Sequence, residues 1–139
     1  RINRLEAEDT AVLKINWKNG ALGTMAVTML TYPKNLEGSI TLLGVNGSVK
    51  IGGPAVNEIE HWSFASESED DDLIKEASYE TSNVYGFGHP LYYKKLLDTL
   101  QGNGKSPCDG RQGLKSLEIL VASYKSSQTR KAVSLPLDF

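Results

Sequence analysis

At 139 residues the chain is long enough for one ordinary domain with its own core, and 40% hydrophobic with 23% charged residues is the composition of a soluble globular protein. A net charge of −2 gives no electrostatic reason to bind nucleic acid or an anionic membrane, and no apolar run approaches the roughly 20 residues of a membrane helix. The single cysteine, Cys108, excludes an internal disulfide and suits a reducing, cytoplasmic setting.

Residues 1–10 form a charged lead-in ending Glu8-Asp9-Thr10. The chain opens on Arg1 rather than Met, and we expect it to be a piece of a longer protein. Ala11 to Ile51 then predicts two β-hairpins, each turning on an Asn-Gly pair, Asn19-Gly20 and Asn46-Gly47. Asn and Gly adopt most readily the positive φ that a two-residue type I′ turn needs. Closing the second hairpin there pairs Leu42 with Ile51 and Gly44 with Val49, so that Ile40, Leu42, Val49 and Ile51 share a face. Closing the first puts Leu13, Ile15, Trp17, Leu22 and Ala26 on one face. Its other face mixes Lys14 and Asn16 with Val12, Met25, Val27 and Met29, too apolar to be left in water.

Pro33 keeps Tyr32 extended between the hairpins, and Gly52-Gly53-Pro54 breaks the sheet. A third sheet segment is expected over Val56 to Phe64, with Trp62 and Phe64 on one side. The acidic run Ser66 to Asp72 has no apolar period and lacks the glycine of a calcium loop, so a solvated loop is expected. Val84-Tyr85-Gly86-Phe87-Gly88 leads into a helix with His89 at the N-cap and Pro90 at its first position. Tyr92, Tyr93, Leu96, Leu97 and Leu100 recur at helical spacing up to Gly102. A second helix starts at Asp109, with Gln112 at capping-box spacing and a stripe of Leu114, Leu117, Val121 and Tyr124. Val133 to Leu137 reads as a last edge strand containing Pro136. The fold class is α+β: a largely antiparallel sheet, helices on one face, and an open second face.

Few residues carry chemistry on their own. Gly86-Phe87-Gly88 is a poor dinucleotide loop: the third glycine position falls on Leu91, no βαβ unit surrounds it, and Pro90 removes an amide. His61, His89 and Cys108 are too scattered for a metal site. His89 lies beside glycines that leave room around it. It reads equally as a helix cap or as a ligand contact, and both readings stay open.

Three stretches point further. Glu8-Asp9-Thr10-Ala11-Val12 followed by Trp17-Lys18-Asn19-Gly20-Ala21-Leu22-Gly23 resembles the opening of the C-terminal domain of the Gfo/Idh/MocA oxidoreductases. Gly88-His89-Pro90-Leu91-Tyr92-Tyr93-Lys94 resembles the helix after the sheet in that family. Asp109 to Glu118, with Tyr124-Lys125-Ser126-Ser127, resembles its last helix. The order is kept from residue 8 to about 137, and the pattern is closest to members acting on sugars and nucleotide sugars. The resemblance implies that residues 1–139 form a C-terminal domain for substrate binding and oligomerisation, joined in the family to an N-terminal Rossmann domain that binds NAD or NADP. It also implies a dimer or tetramer built through the open sheet face. The family's catalytic lysine lies in a Glu-Lys-Pro segment and its usual histidine before the hairpins; neither segment occurs here, so no catalytic and no cofactor-binding residue is assigned.

Two readings result: the substrate and assembly part of an NAD(P)-dependent oxidoreductase, or a stand-alone binding or scaffold module of the same fold. For the first, the expected substrate contacts are Tyr32, at a sheet end, and His89 and Tyr92, within one turn at a helix start. There, free amides and the positive dipole end suit anionic groups, and tyrosine offers a sugar ring a flat apolar face with a polar rim. Tyr92 could equally be an ordinary core aromatic. The face carrying Val12, Met25, Val27 and Met29 is the expected self-association surface.

Overall fold

The computed structural model of the chain describes residues 8–138, apart from the side chain of Lys75. The lead-in up to residue 7 lies outside the described residues. Among the described residues five strands and three helices follow in order: β1 Thr10–Asn16, β2 Leu22–Thr28, β3 Ile40–Gly44, β4 Gly47–Gly52, β5 Glu58–Phe64, α1 Asp71–Lys75, α2 Gly88–Leu100 and α3 Gly110–Thr129. All strand pairing is antiparallel, so the α+β class holds, but the strands form two sheets, β1-β2 and β3-β4-β5. The chain divides into two compact units, one of Arg1–Met29 with Tyr93–Phe139 and one of Leu30–Tyr92.

In the first unit, the β1-β2 hairpin does not close through a two-residue turn. Gly20 N donates to Trp17 O at 3.0 Å, Trp17 N donates to Ala21 O at 2.9 Å, and only Gly20 has positive φ. This is a three-residue loop, Lys18 to Gly20, with Gly20 as the left-handed bulge residue. An odd loop shifts the ladder by one residue and pairs Leu13 with Met25 and Ile15 with Gly23. The slip inverts the expected face assignment for all of β2. Ala11, Leu13, Ile15, Met25 and Val27 share one face, whereas Val12 and Leu22 lie on the other. The expected association face is therefore not a single face, because Val12 is on the side away from Met25 and Val27. Trp17 lies over Gly23, where a Cβ would stand 2.7 Å from the indole ring.

In the second unit, β3 and β4 join through Val45-Asn46, with Gly44 opposite Gly47 and Leu42 opposite Val49. The turn is thus one residue earlier than Asn46-Gly47. Gly47 is in the ladder and does not have positive φ; a Cβ there would collide with the Phe64 ring and the Ser63 carbonyl. Glycine is placed for space, not for turn geometry. A shift of this kind conserves parity, and Ile40, Leu42, Val49 and Ile51 do share a face. β5 starts at Glu58, not Val56; Val56 has positive φ in the preceding turn. Its ladder slips between Lys50 and Ile51, leaving Glu60 as the extra residue of a β-bulge that ion-pairs with Lys50. Trp62 and Phe64 stack edge to face, 5.0 Å apart, as their shared side requires.

The acidic run is not all solvated loop. Asp71 opens α1, its Oδ1 accepting from Trp62 Nε1 and its Oδ2 from Ser68 N, both at 3.0 Å. The indole N–H of a half-buried tryptophan needs an acceptor, and this carboxylate supplies it. α2 ends in a Schellman motif: Gly102 takes positive φ, Gly102 N donates to Thr99 O and Asn103 N to Asp98 O. Asp109 caps α3 as expected, accepting from Arg111 N and Gln112 N, both at 3.0 Å. Residues 133–137 form no strand. Pro136 has no N–H to give a ladder, and Leu137 N donates instead to Glu118 on α3.

Among the described residues only Val49 and Ala122 are buried apolar side chains. No residue of α2 is buried and only Ala122 of α3 is, so Leu100, Leu114 and Leu117 leave much of the helical stripes open. No described helix is long and apolar enough to cross a membrane.

Candidate functional site

The second unit carries the concave surface of interest, and one buried asparagine organises it. Asn57 is 5% exposed. Its Oδ1 accepts from Ala55 N at 2.9 Å, its Nδ2 donates to Tyr79 O, and its own carbonyl accepts from Tyr79 N at 3.1 Å. A buried amide group needs partners for both ends, and these ones tie the turn after β4 to the segment after α1. Ser78 reinforces the tie by accepting from Ile59 N through its Oγ at 2.8 Å. Gly53 takes positive φ with a Cβ position 2.7 Å from Asn57 Oδ1, so a side chain there would displace the amide.

Two neighbouring clefts open beside this junction. One, of about 400 Å³, is lined by Lys34, Asn35, Leu36, Pro54 and the run Thr81 to Val84. The other, of about 380 Å³, is lined by Asn57, Glu58, Glu80, Thr81 and Ser82. Thr81 and Ser82 belong to both. The first cleft offers an ammonium, amides and hydroxyls, a set that fits a polyol or an anion. The second adds two carboxylates and favours hydrogen-bond donors. The loop beside them is held by its own side chains. Asn83 N donates to Thr81 Oγ1 at 3.2 Å, and Tyr85 N donates to Asn83 Oδ1 at 2.7 Å.

The expected contact residues all fall in this unit. Tyr32 is 95% exposed and sits at a cis Tyr32-Pro33 peptide, two residues before the cleft-lining Lys34. His89 is exposed and its ring meets that of Tyr85 edge to face at 5.7 Å. His89 is not the N-cap: α2 already includes Gly88, so His89 is its second residue and needs no capping acceptor. Tyr92 follows on the next turn and is 40% exposed, not core. No hydrogen bond or ring contact joins Tyr32 to His89, and none of the three expected residues lines either cleft.

Sequence reasoning missed Asn57, Thr81, Ser82 and Tyr85. The signal available was Thr81-Ser82-Asn83, a run of residues that fold back on their own backbone. Gly86, weighed above as a phosphate loop, has a different explanation: it takes positive φ, and a Cβ there would collide with the Tyr79 hydroxyl. Tyr79 also packs its ring against Phe87 at 5.3 Å.

Comparison with known proteins adds the following. Residues 1–135 match the family described as the oxidoreductase family, C-terminal alpha/beta domain (GFO_IDH_MocA_C). The chain is 55% identical to the WlbA dehydrogenase of Bordetella pertussis, solved in complex with NADH and UDP-GlcNAcA, with a TM-score of 0.90 over 97% of this chain and 39% of that one. It is 54% identical to the WlbA dehydrogenase of Chromobacterium violaceum, also solved with NADH and UDP-GlcNAcA, with a TM-score of 0.86 over 98% of this chain and 37% of that one. An oxidoreductase domain protein of Kribbella flavida, 19% identical with a TM-score of 0.72 over 95% of this chain and 39% of that one, shares the fold. No curated protein sequence matches the chain. The chain thus spans less than two fifths of the length of each of the two dehydrogenases.

Proposed function

Because the chain belongs to the Gfo/Idh/MocA oxidoreductase family, whose C-terminal alpha/beta domain it matches from residue 1 to 135, we propose that it forms the substrate-side part of an NAD(P)-dependent dehydrogenase acting on a nucleotide sugar. The observation that carries this reading is the 55% identity and 0.90 TM-score to a dehydrogenase solved with NADH and UDP-GlcNAcA. The reading places the enzyme in the cytoplasm, consistent with a free, exposed Cys108.

This chain's own residues do not fit a dinucleotide. Its sheets are antiparallel, Gly86 is committed to Tyr79, and Pro90 lacks the amide that a phosphate would take at the start of α2. In this reading the cofactor is held, as the family resemblance implies, by a Rossmann domain outside these residues, and residues 1–139 act in binding and assembly. Their part is to position the sugar nucleotide. Tyr32 and Tyr92 offer exposed rings to a sugar face. His89, in the first turn of α2, offers a polar group beside that helix's free amides.

In the intact enzyme, His89→Ala or Tyr32→Phe should raise KM or lower kcat/KM for a UDP-linked sugar acid. Cofactor affinity and melting temperature should stay at wild-type values. If those changes lower only stability while sugar kinetics are untouched, the residues are structural and the site assignment is wrong.

The same reading includes a homo-oligomer, dimer or tetramer, formed through an open sheet face. Support comes from the apolar residues of β2 that remain half-exposed on one face, Met25 and Val27. Val27→Asp should shift the sedimenting species toward monomer; a wild-type protein that is monomeric at high concentration would dismiss it.

A further inference from the structure

Asn-Gly occurs three times in the chain, at 19–20, 46–47 and 103–104, and the fold treats the three pairs differently. The pair is chemically labile because glycine offers no Cβ to hinder attack by its own amide nitrogen on the preceding side chain. In that reaction the Gly nitrogen bonds to Asn Cγ and the Cγ–Nδ2 bond breaks. Ammonia leaves, carrying the displaced amide proton, and a five-membered imide remains. Water then opens either imide carbonyl to give aspartate or isoaspartate, with a new carboxylate in each case. The step needs a glycine amide that is not held in a hydrogen bond, and space for the ring to close.

At 19–20 the amide is held. Gly20 N donates to Trp17 O at 3.0 Å, and Asn19 Oδ1 is engaged by Ala21 N at 3.1 Å. At 46–47 Gly47 is in the ladder opposite Gly44, and the space around it is filled by Phe64 and the Ser63 carbonyl. The Asn46 carbonyl is also fixed, accepting from Ala65 N at 2.9 Å. At 103–104 none of this applies. Asn103 and Gly104 are both exposed, and nothing stands within 4 Å of the Gly104 Cβ position. The bond that anchors this turn, Asn103 N to Asp98 O at 2.8 Å, uses the amide on the other side of Asn103. The Asn103 side chain makes only a long contact, 3.5 Å, to Gln101 Oε1.

We propose that Asn103-Gly104, in the turn between α2 and α3, is the protein's site of spontaneous deamidation, and that the folded structure protects the other two Asn-Gly pairs. The product puts a carboxylate at the C-terminal end of α2, where the helix dipole disfavours it.

The three pairs fall on separate tryptic peptides, 19–34, 35–50 and 96–105, so one digest reads all of them. The protein is held folded at neutral pH and sampled over weeks by mass spectrometry. The 96–105 peptide should become one dalton heavier, and gain an isoaspartyl form, at least several-fold faster than the other two. Gly104→Ala should abolish the change without moving the melting temperature. In denaturant the three peptides should react at similar rates. Equal rates in the folded protein, or faster reaction at 19–34 or 35–50, would overturn the proposal. So would a preference for 103–104 that persists unchanged in denaturant, since sequence and not structure would then be its cause.

Discussion

Asn57 clasps Tyr79 from both sides of its residue, donating from Nδ2 to its carbonyl and accepting its N–H at 3.1 Å. Asn57 also accepts from Ala55 N, and it lines one of the two clefts beside Thr81 and Ser82. Asn57→Ala would leave the Tyr79 carbonyl and the Ala55 N–H without partners, at about 1–3 kcal/mol each. Urea unfolding should show a loss on the order of 2–6 kcal/mol. A midpoint equal to wild type would mean that the junction is held by other contacts.

The Trp62–Asp71 bond fixes the start of α1 to β5. Asp71→Ala removes the acceptor of the indole N–H and of Ser68 N, and should cost about 1–3 kcal/mol. Asp71→Asn keeps an oxygen for the indole and should cost less. In a Trp17→Phe background the fluorescence of Trp62 reports the bond directly. An Asp71→Ala spectrum identical to its parent would dismiss the link.

Gly47→Ala tests close approach. The added methyl meets the Phe64 ring and the Ser63 carbonyl, so overpacking of about 1–3 kcal/mol is expected. The same substitution made on Phe64→Ala should cost less, because one of the two colliding groups is gone. Equal costs in both backgrounds would locate the strain elsewhere.

Two groups shape the alkaline limb of stability. The Lys50 ammonium is held above its ordinary 10.5 by its bond to Glu60, assisted by the charges of Glu60 and Glu37. The Tyr124 phenol is held above its ordinary 10.0 by its bond to the Glu8 carboxylate and by that carboxylate's charge. Each folded pKa is raised, so the folded state binds the proton more tightly than the unfolded chain. The stabilisation is complete below the ordinary values and is lost as pH rises through the folded ones. Stability should fall as pH climbs above about 10. Lys50→Met combined with Glu8→Gln should flatten that fall, and Glu8→Gln alone should move the Tyr124 tyrosinate absorbance to lower pH. An unchanged alkaline limb in the double variant would exclude both pairs.

Local chemistry made α2 and α3 readable. Asp109 two and three residues before the amides it caps, and Gly102 at the end of α2, act within single turns and need no tertiary context. The hairpins were readable as hairpins, but Asn-Gly serves loops of two residues and of three. Only the bonds around Trp17 and Gly20 decide which, and with that one residue goes the face of Val12. The acidic stretch hid α1 because what folds it is the Trp62 indole, distant from its own composition. Tyr32, His89 and Tyr92 were singled out by residue type alone, and none of them lines either cleft. The clefts were not legible, because Lys34, Pro54 and Thr81 are far apart in the chain and come together only in the fold.

The bulge at Glu60 gives β5 an unusual tolerance. Ile59 and Trp62 are three residues apart, yet both stand opposite the apolar side of β4, at Ile51 and Val49. The strand is a regularly alternating sequence with one extra letter spelled into it. Deletion of a single residue ordinarily inverts everything downstream in a ladder. Here, removing Glu60 would leave each partner where it is and restore strict alternation, at the cost of the Lys50 ion pair. The mildest edit to this strand is thus the one that is usually the most damaging. Relatives that differ in length by one residue at this point can share the same sheet without any compensating change in its neighbours.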